Sequence, residues 1–335
     1  MSGIGRRLTL AIVLGAVLAG GGARAQSTPL AGTLVVTNKS PSTATILDVA
    51  SGRVLATLPT GRNPHEVVLS ADGRTAVVTD YGGERRTLTV IDVAGRRVAR
   101  TIDLGEYRAP HGIAFLPGDR QVAVTVEASR HVLIVDVAGS RVVQAIPTQF
   151  SGSHMIGVTA DGRRGFTGNM SGNTVSELDL AAFRFVRSFE VPAAPEAINV
   201  TPDGKEVWVG SNATGRVSVL EPSTGRVVTA AEGMSWPYRM LFTPDGRLVV
   251  VPDPRSGEVR FIDRAGRREA GRLALPNAAP QGVTVTPDSR YVLLSLSAEG
   301  RVAIIDVAAR RVVGHLPAGP TPDGIAYTPN RYAAP

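Results

Sequence analysis

The 335-residue sequence contains no cysteine. Disulfides, thiolate metal sites and cysteine nucleophiles are therefore all excluded. Aromatic residues make up only 5 % of the chain, and its two tryptophans, Trp208 and Trp236, are too few for an aromatic nucleic-acid platform. Also missing are a phosphate loop, a dinucleotide fingerprint and a Gly-x-Ser-x-Gly elbow that would raise a serine nucleophile. One apolar run stands out, Leu8 to Ala19, and it is shorter than the roughly 20 residues a membrane-spanning helix needs. Beyond it no apolar pattern repeats at the helical period of about 3.6 residues.

That short run belongs to a leader. Arg6 and Arg7 form a basic start, the apolar run follows, and Ala23-Arg24-Ala25 is a small-x-small cleavage site before Gln26. Residues 1–25 are expected to be a signal peptide and residues 26–335 a single exported domain, periplasmic or secreted, with no membrane span after signal removal. The formal charge of +7 is inflated by the leader: losing Arg6, Arg7 and Arg24 lowers 36 basic residues to 33, against 29 acidic. Such a balance does not favour a nucleic-acid partner. Pairs such as Arg96-Arg97 and Arg310-Arg311 sit at turn positions, where solvated loop charge is the plainer reading.

What the sequence has in abundance is repetition. Turn signals recur at Asp72-Gly73, Gly118-Asp119, Asp161-Gly162, Asp203-Gly204, Asp245-Gly246, Asp288-Ser289 and Pro329-Asn330. Spacings of 40 to 50 residues with several short strands in each point to propeller blades. In one copy, Ala197 to Thr201 is a first strand, Pro202-Asp203-Gly204 a turn, Glu206 to Gly210 a second strand, Val217 to Leu220 a third, and Val227 begins the fourth. The N-terminal part supplies strands two to four of a blade, Leu34 to Leu58, and the C-terminal part ends on an unpaired first strand, Gly324 to Thr328. Together they complete one blade, so the expected fold is all-β: a seven-bladed propeller of four antiparallel strands per blade, closed end to end without a long free edge.

The segments VVTNKSPSTATILDVASGRVLATLPTGRNPHEVVLSADG and RVVGHLPAGPTPDGIAYTPN resemble the YVTN family of seven-bladed propeller repeats. The resemblance covers nearly the whole mature chain, apart from departures at Glu177 to Phe183 and an insertion at Gly82 to Arg86. It implies the fold and leaves the function open, because propellers of this kind serve as surface proteins, as ligand binders and, in related families, as lactonases and lyases.

In a propeller the first strand of each blade lines the channel, and its leading residue faces the mouth, where ligands sit. Four places before the last apolar residue of each first strand stand His65, His111, His154, Glu196, Tyr238, Gln281 and Asp323. All seven are polar, and three of the five histidines fall on consecutive blades. Neutral imidazoles beside Glu196 and Asp323 form a plausible shell for a divalent transition metal, copper or zinc. Whether they can reach bonds of roughly 2.0 to 2.1 Å depends on how wide the mouth is. A wet mouth that tolerates polar residues without any ligand is the plain alternative.

The loops after each second strand open on the same face and offer Asn38, Asp80, Tyr81, Glu127, Asn169, Asn212, Asp253 and Arg255, each also explicable as turn chemistry. Arg239 is placed to hold a carboxylate and Trp236 to wall the pocket. Candidate ligand-binding residues are thus Tyr238, Arg239, Gln281, Asp80, Asn212 and Trp236; candidate metal ligands are His65, His111, His154, Glu196 and Asp323. The leading expectation is an exported binding protein holding a metal ion or small polar ligand at the mouth, with blade surfaces for a protein partner. A metal-dependent lactonase or lyase using the same site is the second, and an interaction scaffold with an unused channel the third.

Overall fold

A computed structural model describes Met1, residues 30–82 and residues 86–332. Residues 2–25 of the expected signal peptide, and the centre of the Gly82 to Arg86 insertion, lie outside the described residues. The chain divides into Met1–Leu30 and Ala31–Pro335, and the second unit is the propeller.

Seven four-stranded antiparallel sheets follow one another. Their inner strands are Pro64–Leu69 (blade 1), Pro110–Phe115 (blade 2), Ser153–Val158 (blade 3), Pro195–Val200 (blade 4), Leu241–Phe242 (blade 5), Pro280–Val285 (blade 6) and Pro322–Thr328 (blade 7). Closure is as expected. Pro322–Thr328 pairs with Thr33–Asn38, in the register Thr33 to Thr328 and Val35 to Ala326, and Thr43–Asp48 and Arg53–Pro59 complete blade 7.

The core lies between blades. Middle strands such as Thr75–Asp80 and Leu248–Asp253 are buried almost throughout, because a neighbouring blade covers each face. Val77, Leu88 and Val90 of blade 1 thus pack with Ile113, Val122 and Leu133 of blade 2. Outer strands keep one face in water. All seven begin with arginine, at Arg53, Arg97, Arg141, Arg184, Arg226, Arg268 and Arg311. Each stands across the hairpin from an acid, Asp48, Asp92, Asp136, Asp179, Glu221, Asp263 or Asp306. The turn arginines thus belong to blade hairpins, as Arg97 and Asp92 show at 2.8 Å.

Candidate functional site at the channel mouth

Each inner strand is brought to the axis by a short local device. Proline opens it in five of the seven blades, at Pro64, Pro110, Pro195, Pro280 and Pro322, and the preceding residue has positive φ: Asn63, Ala109, Ala194, Ala279 and Thr321 lie between 49° and 56°. Such a φ is unfavourable for a side-chain-bearing residue, and proline before a strand removes a donor that would find no ladder partner. The residue after the proline then sits in a β-bulge, where the register of strands one and two slips, as between Pro64 and Val67 or Pro110 and Ile113. Bulges re-aim side chains. In six of the seven blades the predicted ring residue lies in this bulge; blade 5 has none.

Inner strands approach closely because glycine follows the ring residue in three blades. A Cβ at Gly112 would lie 2.6 Å from Met155 Cα and 2.7 Å from the His154 carbonyl oxygen. Threonines of the second strands join neighbours across the gap. Thr37 Oγ1 donates to the carbonyls of His65 at 2.9 Å and Gly324 at 3.2 Å, and Thr125 Oγ1 to that of His154 at 2.5 Å.

The mouth is consequently narrow, and the predicted residues meet. Ring centroids are 4.9 Å apart for His65 and His111 and 3.8 Å for His111 and His154. Tyr81 lies against this row, 4.4 Å from His65 and 5.0 Å from His111. His154 Nε2 is 4.0 Å from Glu196 Oε1. Glu196 is held by Trp236 Nε1 at 2.8 Å, by the Asn212 amide and by Arg239 Nη1 at 3.5 Å. On the opposite side, Lys39 Nζ stands 2.9 Å from Asp323 and 3.3 Å from both Tyr238 Oη and Gln281 Oε1, while the Tyr238 hydroxyl donates to Asp323 at 3.2 Å. The mouth is largely covered, since only Gln281 of the seven ring residues escapes burial.

Burial sets the charge states. It lowers His65 to about 4, helped by Lys39 and Arg239 and opposed by Asp323. His111 and His154 are pushed well below the usual imidazole range, first by burial and then by neighbouring positive or imidazole groups. All three are neutral at pH 7. Nδ1 of His65 faces the Asn63 carbonyl at 2.9 Å, so the proton belongs on Nδ1 and the Nε2 lone pair is left available. Nδ1 of His111 and of His154 is buried without a partner. Glu196 and Glu127 are both raised, mainly by burial; Tyr81 hydrogen-bonds Glu127, whose Oε2 is buried and unpaired.

Two residues that sequence reasoning missed decide the depth of the site. Arg239 does hold a carboxylate, but of this chain: Nε and Nη2 donate to Glu66 Oε1, the first at 2.8 Å, across the channel from blade 5 to blade 1. Blade 5 permits this because its inner strand is reduced to Leu241–Phe242, leaving Tyr238 and Arg239 in irregular backbone. The buried pair floors the mouth. Beyond it lies a separate cavity of about 420 Å³ lined by residues such as Val68, Ala114, Met155 and Leu241. Lys39, the other omission, takes up Asp323. Only adjacency to His65 and to the Asn38 turn marks Glu66 and Lys39 in the sequence, and neither signal specifies a partner.

The second-strand loops divide. Asp80 is fully buried and accepts from Gly61 N at 2.9 Å and from the hydroxyls of Thr87 and Thr89. Asn38, Asn169 and Asp253 do equivalent work, as when Asp253 accepts from Trp236 N at 3.0 Å. These four clamp each blade's return loop. Tyr81, Glu127, Asn212 and Trp236 reach the mouth instead, with the Arg255 guanidinium 4.6 Å over the Trp236 ring. Among the described residues no three of the histidine and acidic groups already converge on one metal position.

Residues 117–233 match the family model of YNCE-like beta-propellers. No curated protein matches the chain. Among solved structures it is similar to hydrazine synthase of Kuenenia stuttgartiensis, at 20 % identity and a TM-score of 0.65 over 77 % of this chain and 88 % of that one. A functionally unknown protein from Desulfotomaculum acetoxidans gives 14 % identity and 0.73 over 88 % and 98 %. Dihydro-heme d1 dehydrogenase NirN gives 17 % and 0.66 over 92 % and 78 %. At these identities the likeness concerns the fold alone. Seven four-stranded sheets closed by its two ends make the chain a seven-bladed β-propeller, and residues 117–233 within it are similar to the YNCE-like propellers.

Proposed function

We propose that the protein is an exported binding propeller that captures a metal ion or small polar ligand at its channel mouth, leaving the blade surfaces free for a protein partner. The observation that carries this reading is the row of buried neutral imidazoles at His65, His111 and His154, two of which have an unpaired Nδ1. Buried polar atoms are almost always hydrogen-bonded, and an orphaned pair beside fixed donors and acceptors suits a ligand that supplies the partner. Trp236, Asn212, Tyr238 and Gln281 surround that row with groups able to orient a polar molecule, and the Glu66 and Arg239 pair limits how deep it goes. The basic, apolar and small-residue order of the first 25 residues supports export.

A metal-dependent lactonase or lyase is the second reading. It is favoured by the 4.0 Å approach of neutral His154 to Glu196, two groups able to exchange a proton on a bound carbonyl compound. Two of the similar propellers are named as enzymes. Calorimetry of the protein and its H65A/H111A/H154A variant against divalent metals, small carboxylates, sugars and lactones tests both readings. Binding lost in the folded variant is the expected result. Turnover of a lactone moves the reading to catalysis, and a mouth that binds nothing, with the triple variant indistinguishable, leaves only a scaffold.

A further inference from the structure

We infer that the ligand of the mouth is a divalent transition-metal ion, taken up by Nε2 of His65 and by ring nitrogens of His111 and His154 with Glu196 Oε1, and that Glu127 rather than Asp323 is the further carboxylate beside it. This rests on the binding reading above. Three neutral imidazoles with carboxylate oxygen form the borderline donor set that suits zinc or copper and suits magnesium or calcium poorly. Orientation agrees at two ligands. The Asn63 carbonyl fixes the His65 tautomer so that Nε2 carries the lone pair, as a backbone acceptor behind a metal-bound histidine does. At Glu196, Trp236 and Asn212 both occupy Oε2, while Oε1 faces His154 at 4.0 Å and is approached by Arg239 Nη1 at 3.5 Å, so an ion there shares this oxygen with the guanidinium. An ion at roughly 2.0 to 2.1 Å from each, in tetrahedral geometry, would set His154 Nε2 and Glu196 Oε1 about 3.3 Å apart, so this pair needs to close by about 0.7 Å.

The stack of His111 on His154 must open for the donors to converge. Both Nδ1 atoms are unpaired in the stack, so no hydrogen bond is broken when the rings turn. Asp323 is unavailable because Lys39 and Tyr238 hold it. Glu127 is available: Tyr81, packed against His65 and His111, holds the carboxyl at the mouth, and Oε2 has no partner.

The mature chain, dialysed against a chelator, is titrated with zinc and copper, with magnesium and calcium as controls. One zinc per chain at micromolar affinity or tighter is expected, with weak or no uptake of the controls. H154A should weaken zinc at least about 100-fold and E127Q about 10-fold, while D323N stays within about 3-fold of the parent. Circular dichroism establishes that each variant is folded. Should H154A fail to fold, paramagnetic resonance of the copper-loaded parent decides, with coupling to two or more imidazole nitrogens expected. Failure of the folded parent to take up zinc or copper at about 1 mM, or copper without nitrogen coupling, overturns the inference. If small polar molecules still bind, the broader binding reading stands; if nothing binds, both fall.

Discussion

At the scale of single residues, the mouth is an exercise in burying polar groups without charging them. His65 keeps its proton off because charging a buried imidazole near Lys39 and Arg239 costs more than Asp323 returns. Its folded value of about 4 lies below its ordinary 6.5, so the folded state binds fewer protons than the unfolded chain between those pH values. Stability contributed by neutral His65 is therefore complete above about pH 6.5 and is lost as pH falls toward 4, by about 3 kcal/mol in all. His111 and His154 act in the same direction. Denaturant unfolding followed from pH 7.5 to 4.5 should show a steep loss that flattens in H65Q. An unchanged slope in H65Q would mean that His65 titrates normally. The polar identity of these residues was legible from their position in each repeat; their burial was not, because it depends on how far neighbouring strands intrude.

At the scale of the strand, the second-strand threonine is the part that joins blades. Thr37 and Thr125 bond a carbonyl of the next blade, whereas in blade 3 the matching position is Gly168 and its neighbour Thr167 has Oγ1 buried without a partner. Removing the Thr125 hydroxyl leaves the His154 carbonyl and Gly112 N–H short of a buried partner, at a cost of about 1 to 3 kcal/mol. The same change at Thr167 removes a hydroxyl that is already unsatisfied. Thr125→Val should therefore lower the melting temperature by several degrees and Thr167→Val should leave it unchanged or raise it, as scanning calorimetry of the two variants beside the parent will read. Equal losses would show that side-chain volume matters here and the staple does not. The recurring threonine was visible in the sequence, yet its repetition conceals that Thr37 and Thr125 reach the next blade while Thr79 accepts from Glu66 N within its own. Asp80 illustrates the same limit: a loop acid that looked available to a ligand is occupied by its own return loop.

At the scale of the whole molecule, closure holds the ring. The last inner strand completes blade 7, and the tail beyond it reaches on to blade 1, where Asn330 Nδ2 and the Tyr332 hydroxyl donate to the Asp72 carbonyl at 2.7 and 3.2 Å. Ending the chain at residue 320 would expose the edge of Thr33–Asn38 and uncover the faces that blade 7 shares with its neighbours. The truncated protein is expected to aggregate or to unfold at far lower denaturant, measured by size-exclusion chromatography and equilibrium unfolding; a stable monomer would show that six complete blades suffice. Blade number, strand order, closure and the seven ring positions were determined by the sequence alone, since each follows from local turn chemistry repeated at one period. Only the tertiary structure decided that the mouth is narrow, that Glu66 reaches Arg239 across the channel and that Lys39 claims Asp323. These are meetings of residues up to hundreds of positions apart, set by blade packing and by one irregular strand, and no local pattern encodes them.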